Sequence, residues 1–284
     1  MAELVSVIVT TYNRPEALEA ALRGLTRQTD SSFEVVIADD GSGPETAQAI
    51  ERLAKATDLA ITHVWQSDQG FRAAASRNRA ILHSSGTYCI FLDGDCIPRR
   101  DFIARHRELA EPGWFVTGNR VLLSPTLSER ILHERIEADR WGIAALLREH
   151  LAGGVNRLAP ALRLPLGPLR RLNDSDWEGA RSCNLAVWRS DLDRVDGFDA
   201  AFSGWGLEDS DLIVRLIHAG IRRKDGRFAT GVLHLWHPES DRATLPDNRQ
   251  RLDAVIGSER VRALQGLSAL ALQENDEAVR LVSS

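Results

Sequence analysis

The sequence predicts an α/β protein built on a mostly parallel, Rossmann-like central sheet with helices around it. Three observations predict this. Short β-branched runs alternate with segments of helical period through the first hundred residues. The first of these runs is apolar in the way of a strand covered on both faces. Polar residues then collect where the runs end, which is the rim at which parallel sheets bind ligands.

In order, LVSVIVTT (4–11) is the first strand. NRPEALEAALRGLTRQT follows as a helix, with Asn13 as its expected N-cap, Pro15 in the first turn, and Leu18, Ala21, Leu22 and Leu25 on one face. FEVVIADD is the second strand, and Ser42 with Glu45 is the pattern of a capping box opening the helix ETAQAIERLAKA. ITHVWQ is a third strand, RAAASRNRAILHSS a third helix and TYCIFLDGD a fourth strand. This alternation implies right-handed crossovers.

The second half is organised differently. GWFVTGNRVLL is expected as one further strand, and residues 128–175 as a patchy helical segment. Within it, residues 140–171 carry arginines at 140, 148, 157, 163, 170 and 171 against the single acid Glu149. GWGLEDSDLIVRLIHAG places acids in the first turn of a helix, where the macrodipole favours them. FATGVLHLWH is expected as a last strand and residues 246–272 as a closing helix.

The 284 residues can bury a substantial core, and 43% apolar with 26% charged residues is ordinary for a globular protein. A formal charge of −5 argues against a general nucleic-acid binder, whose affinity rests on neutralising phosphates. Cys89, Cys96 and Cys183 show no paired ligand spacing, and an odd count suits a reducing compartment. No run approaches the roughly 20 apolar residues that span a bilayer, and MAELVSVIVT lacks a signal-peptide pattern. The expected location is cytoplasmic; the arginine-rich segment reads equally as a cover over the acceptor site, as a peripheral contact with the inner membrane surface, or as ordinary packed helices with solvated arginines.

Thr10, Thr11, Tyr12 and Asn13 end strand one, Asp39 and Asp40 strand two, Asp93 and Asp95 strand four. Asp93-Gly94-Asp95 is good turn chemistry and equally a way to hold a cation. In the strand VLHLWH, His234 and His237 would face opposite sides, so both are not expected on one ion. No Gly-rich phosphate loop follows strand one, which disfavours a sugar-nucleotide pyrophosphorylase, and no G-x-G-x-x-G occurs there to suggest a dehydrogenase.

Taken together, VSVIVTTYNRP, VVIADDGS, ASRNRAI, FLDGDCIP, CNLAVWRSDLDRVDGFD and GWGLEDSDL resemble an inverting, family 2-type glycosyltransferase of GT-A fold. The last two stretches resemble the carboxyl-terminal module of galactosyltransferases and chondroitin-polymerising enzymes. The resemblance implies a nucleotide-sugar-binding half (1–118), an acceptor-binding half (119–245) with the helical insertion, and a helical tail (246–284), all in one compact domain. It implies a UDP-sugar donor, a glycan or lipid-linked saccharide acceptor, and Mn²⁺ or Mg²⁺. Asp95 and His234 would bind the metal, with Asp93 at the ribose and the metal's water shell. Asp40 or Asp39 would read the uracil, Thr11 and Tyr12 flank it, and Arg77 stand near the nucleotide. Asp209 would be the general base, Glu208 a hydroxyl ligand and Trp205 a stacking face, with Asn184 and Asp199 shaping the pocket. Leu207 stands where the family often has glycine. The bland alternatives are helix caps for Asp40 and Asp209, an exposed helix charge for Arg77 and core packing for Trp205. A non-catalytic saccharide-binding protein on the same fold is the remaining rival.

Overall fold

The computed structural model describes residues 3–239, 241–272 and 279–280. The tail expected at 246–284 therefore lies partly outside the described residues. Strands β1 (Val5–Thr11), β2 (Phe33–Asp39), β3 (Ile61–Trp65) and β4 (Tyr88–Asp93) pair in parallel in the order β3-β2-β1-β4. Helices α1 (Pro15–Leu25), α2 (Pro44–Lys55) and α3 (Ala73–Leu82) connect them. β1 shows why its run is mostly apolar. Val5, Val7 and Val9 pack into one core with Leu18 and Leu22 of α1, and Ile8 packs into the other with Ala80 and Ile81 of α3.

Beyond β4 the sheet continues with antiparallel β8 (Asn184–Trp188), then β6 (Trp114–Thr117) and β9 (Arg222–Asp225). A short antiparallel strand, Val279–Arg280, closes the far edge on β3. Strands from both halves of the sequence thus share one sheet. A second small sheet joins β5 (Cys96–Pro98), β10 (Val232–His234) and β7 (Arg120–Leu122). The stretch expected as one strand at 113–123 is therefore two, split at Gly118 and Asn119 into different sheets.

Other local expectations are corrected. Asn13 does not cap α1; it sits at φ +48° and its side-chain oxygen accepts from the Gly43 N–H. Ser42 forms no capping box, because its Oγ accepts from the Asn13 N–H, and α2 starts at Pro44. The closing helix is two helices, α9 (Leu245–Ile256) and α10 (Leu267–Ala271). The insertion contains α5 (Pro125–His133) and α6 (Ile143–Leu151), joined through one short 3₁₀ turn (Ala138–Arg140) and followed by two more. Three of its arginines hold the fold: Arg163 pairs with Asp101, Arg170 donates to the Asp225 and Arg227 carbonyls, and Arg171 pairs with Glu111. No helix among the described residues is long and apolar enough to cross a membrane.

Candidate active site

Sheet register assembles the site. Thr10 stands beside Asp93 and Thr11 beside Asp39 at the carboxyl ends of the parallel strands. The Asp93-Gly94-Asp95 turn folds back on β1, with the Gly94 N–H donating to the Thr10 carbonyl at 2.7 Å. A Cβ at Gly94 would lie 2.9 Å from that oxygen, so only glycine permits the turn. Pairing of β5 with β10 then sets His234 opposite Cys96, and the Leu235 N–H donates to the Asp95 carbonyl.

Asp95, His234 and His237 offer ligand atoms that all lie within 4.8 Å of one another. His234 Nε2 is 3.5 Å from Asp95 Oδ1 and His237 Nε2 is 3.4 Å from Asp95 Oδ2. This corrects the expectation that the two histidines point apart: β10 ends at His234, so strand alternation does not extend to His237. His237 Nδ1 contacts the Pro238 carbonyl at 2.6 Å. A carbonyl only accepts, so Nδ1 carries a proton there and Nε2 is the ring nitrogen turned toward Asp95. Burial holds the His234 imidazole down at about 4 against the pull of Asp95, so it is neutral near pH 7. One carboxylate and two imidazoles fit a divalent transition ion such as Mn²⁺ better than Mg²⁺, which prefers oxygen.

Behind this cluster Arg77 is 4% exposed, which removes the alternative of an exposed helix charge. Its Nη1 donates to Glu208 Oε1 at 2.9 Å, its Nε to Thr10 Oγ1 at 3.0 Å, and its Nη2 reaches Asp93 Oδ1 at 3.4 Å. Glu208 and Asp209 open helix α8 (Glu208–His218) and are both 7% exposed. Asp209 accepts from the Ser210 N–H at 2.8 Å and, more weakly, from the Ser182 N–H at 3.4 Å. Burial, then the adjacent Glu208, push its carboxyl up to about 6. The Gly-Trp-Gly turn leading into α8 needs its glycines: Gly204 has φ +70°, and a Cβ there would collide with Thr244. Trp205 is half-buried, with the Arg242 guanidinium 5.0 Å above its ring.

On the first two strands, Asp40 accepts from Gln66 Nε2 and the Arg72 N–H, and burial lifts its carboxyl to about 6. Asp39 is turned inward, with Oδ1 on the Ser42 N–H and Oδ2 on buried His63, which leaves it a turn former instead of a rim contact. Thr11 is buried and uses its carbonyl on the Asp40 N–H, while Tyr12 is exposed and donates to Asp68. Asn184 is fully spent: its amide donates to the Asn119 and Thr230 carbonyls and its oxygen meets His106. Asp199 accepts from the backbone of Leu264 and Gln265. Both are buried and spend their side chains on these partners.

Two arginines are missed by sequence reasoning. Arg14 donates to Asp95 Oδ2 at 2.7 Å. Arg120, whose nearest partner is the Cys183 thiol at 3.8 Å, is close enough to Asp93 and Asp95 for both to raise its pKa. The surplus of acids on this rim is the signal that compensating cations had to stand nearby.

Residues 6–158 match glycosyl transferase family 2, and residues 173–237 match a family described as the N-terminal domain of galactosyltransferase. Validoxylamine A glucosyltransferase of Streptomyces hygroscopicus is 30% identical over 247 residues, covering 81% of this chain and 55% of that protein. Chondroitin synthase of Pasteurella multocida is 27% identical, covering 79% of this chain and 24% of that one. The chain thus spans about half or less of the length of these relatives. A mannosyltransferase from Pyrobaculum calidifontis, solved with GDP-Man and Mn²⁺, superimposes with TM-score 0.57 at 18% identity over 98% of this chain and 76% of that one. S. aureus TarS 1–349, solved with UDP-GlcNAc, gives 0.61 at 16% identity over 94% and 69%. The fold is that of GT-A glycosyltransferases.

Proposed function

The chain belongs to glycosyl transferase family 2, and we propose that it is a metal-dependent inverting enzyme transferring sugar from a UDP-sugar to a saccharide hydroxyl. The observation that carries this reading is the convergence of Asp95, His234 and His237 on one point, beside the paired acids Asp93 and Glu208. A divalent cation held there would act as a Lewis acid on the departing diphosphate.

The chain's own residues supply the rest. Asp40 is the acceptor for the uracil N3–H, with Thr11 and Tyr12 at the base, and Asp93 takes the ribose. Arg77 fixes Asp93 and Glu208 in place instead of touching the nucleotide. Asp209 accepts the proton from the acceptor hydroxyl as that oxygen attacks the anomeric carbon from the face opposite the nucleotide. Glu208 has a buried Oε2 without a partner, which suits a bond from a sugar hydroxyl. Trp205 offers the flat face on which an acceptor ring stacks. The acceptor is a glycan or lipid-linked saccharide in surface polysaccharide or glycolipid assembly.

Peripheral membrane contact belongs to α6. Ile143, Leu147 and Leu151 recur at helical spacing and are 50%, 44% and 79% exposed, with Arg140 and Arg148 beside them. Such a stripe suits an anionic bilayer surface.

The test is a screen of UDP-sugars, with GDP-mannose for comparison, for Mn²⁺-dependent hydrolysis or binding. One UDP-sugar turned over with Mn²⁺ and silent in EDTA is the expected result. Full turnover in EDTA overturns the metal; saccharide binding without any turnover favours the non-catalytic rival.

A further inference from the structure

Arg14 stands at the turn between β1 and α1, and its guanidinium lies on the metal-facing carboxylate. Nη1 donates to Asp95 Oδ2 at 2.7 Å and Nη2 to the Trp236 carbonyl at 3.2 Å. The same Oδ2 lies 3.4 Å from His237 Nε2. An ion held between Asp95 and His237 would therefore claim the oxygen that Arg14 already uses. A monovalent guanidinium and a divalent cation on one carboxylate oxygen repel each other, so each weakens the other's hold.

The arrangement lets the side chain move while its backbone stays. The preceding Asn13 is fixed by two bonds, its N–H to Ser42 Oγ and its Oδ1 to the Gly43 N–H. The Arg14 side chain itself is 33% exposed and packs in no core cluster, so it can swing without unpacking the fold. Once displaced it needs another anion. Glu208 and Asp93 are already engaged by Arg77. A diphosphate is the anion that an arginine fork matches best, and it is the group that comes with the nucleotide.

We propose that Arg14 is an internal counter-ion of Asp95 that blocks the divalent cation until the nucleotide's diphosphate draws the guanidinium away. Cation and nucleotide then load together, and the acidic cluster stays neutralised between turnovers. The proposal rests on the metal and UDP reading above.

Mn²⁺ binding, followed by the loss of the free-ion electron paramagnetic resonance signal, tests it without any turnover. Wild-type protein is expected to bind Mn²⁺ weakly alone and more tightly with UDP. Arg14→Ala and Arg14→Gln should both raise UDP-free Mn²⁺ affinity by about 5-fold or more, in the usual range of coupling between sites. The extra affinity that UDP confers should shrink in both. Arg140→Ala removes the same formal charge from an arginine that pairs with Glu137 and with none of the cluster's acids, and should leave Mn²⁺ binding unchanged. If both Arg14 variants bind UDP-free Mn²⁺ as weakly as wild type, or if Arg140→Ala rises equally, the counter-ion role is wrong while the metal site stands. If wild-type protein ignores Mn²⁺ even with UDP, the metal reading and this inference fall together.

Discussion

Arg77 and Glu208, 131 positions apart in sequence, meet at 2.9 Å and tie helix α3 to the first residue of α8. The guanidinium also reaches Asp93, so one buried cation serves acids on both sides of the cleft. Deleting one partner of a buried ion pair leaves the other charge uncompensated, at a cost of about 3–5 kcal/mol. Arg77→Met should lose stability on that scale by denaturant melting. Arg77→Met with Glu208→Gln should recover a large part of it, because the double variant strands one acid fewer. Equal loss in the single and double variants would mean that packing around Arg77, and not its charge, is what matters.

Asp40 and Asp39 separate by partner. Both carboxylates have both oxygens engaged. Asp39 is held by the Ser42 N–H of its own turn and by buried His63 of β3, so Asp39→Asn should act on stability. Asp40 is instead held by Gln66 and the Arg72 N–H at the rim. Asp40→Asn turns an acceptor into a donor at the proposed uracil N–H, and UDP affinity should fall by about 1–3 kcal/mol in calorimetry. The reverse pattern would hand the base to Asp39.

The parallel sheet was legible because burial on both faces leaves near-continuous apolar runs, of which Val5–Val9, broken only by Ser6, is an example. The acids were legible because they cluster at strand ends. His237 was not, since side-chain alternation holds only inside a strand and β10 stops three residues earlier. Nor was the capping box a safe sign: Ser42 Oγ could serve one N–H, and Asn13, 29 residues away, supplies it. Arg14 and Arg120 act through contacts between distant segments, which no local pattern encodes.

The stripe on α6 gives a prediction that is independent of chemistry. The protein should co-sediment with vesicles containing anionic lipid, be released by salt, and ignore zwitterionic vesicles. Leu147→Glu with Leu151→Glu should abolish this, because both side chains are exposed and their loss leaves the core intact. Indifference of the wild-type protein to both vesicle types would leave the stripe to another partner.

Leu207 is a bulky residue held at φ +75° immediately before Glu208. The left-handed region costs it roughly 1–2 kcal/mol, and glycine would remove that strain. Glycine also loses roughly 0.5–1 kcal/mol through chain entropy. The contact with the Phe202, Val214, Leu252 and Val255 cluster would be lost as well. These effects nearly cancel, so Leu207→Gly should change stability by less than about 1 kcal/mol, while Leu207→Val should destabilise, since a β-branched residue fits the region worse. The acceptor KM should shift in Leu207→Gly as the pocket widens. A melting temperature that falls as far in Leu207→Gly as in Leu207→Val would show that packing outweighs the strain.

Asp209 carries the sharpest prediction, because its proton state is set by groups that can be changed separately. A general base must be ionised to accept a proton. With its carboxyl at about 6, raised first by burial and then by Glu208, kcat/KM should fall as pH drops through about 6 and level off above it. Glu208→Gln removes the like charge, so the acid limb should move to lower pH even if the plateau also drops. Asp209→Asn keeps the volume and removes the base, and kcat should fall by about 10²–10⁴ with near-normal UDP-sugar affinity, since the donor lies on the metal side. Its residual activity should also lose the limb near pH 6. A purely structural role would lower activity uniformly and leave the pH profile where it was. If the limb stays in Asp209→Asn and vanishes in Glu208→Gln, the base is Glu208, and Asp209 only braces the start of α8.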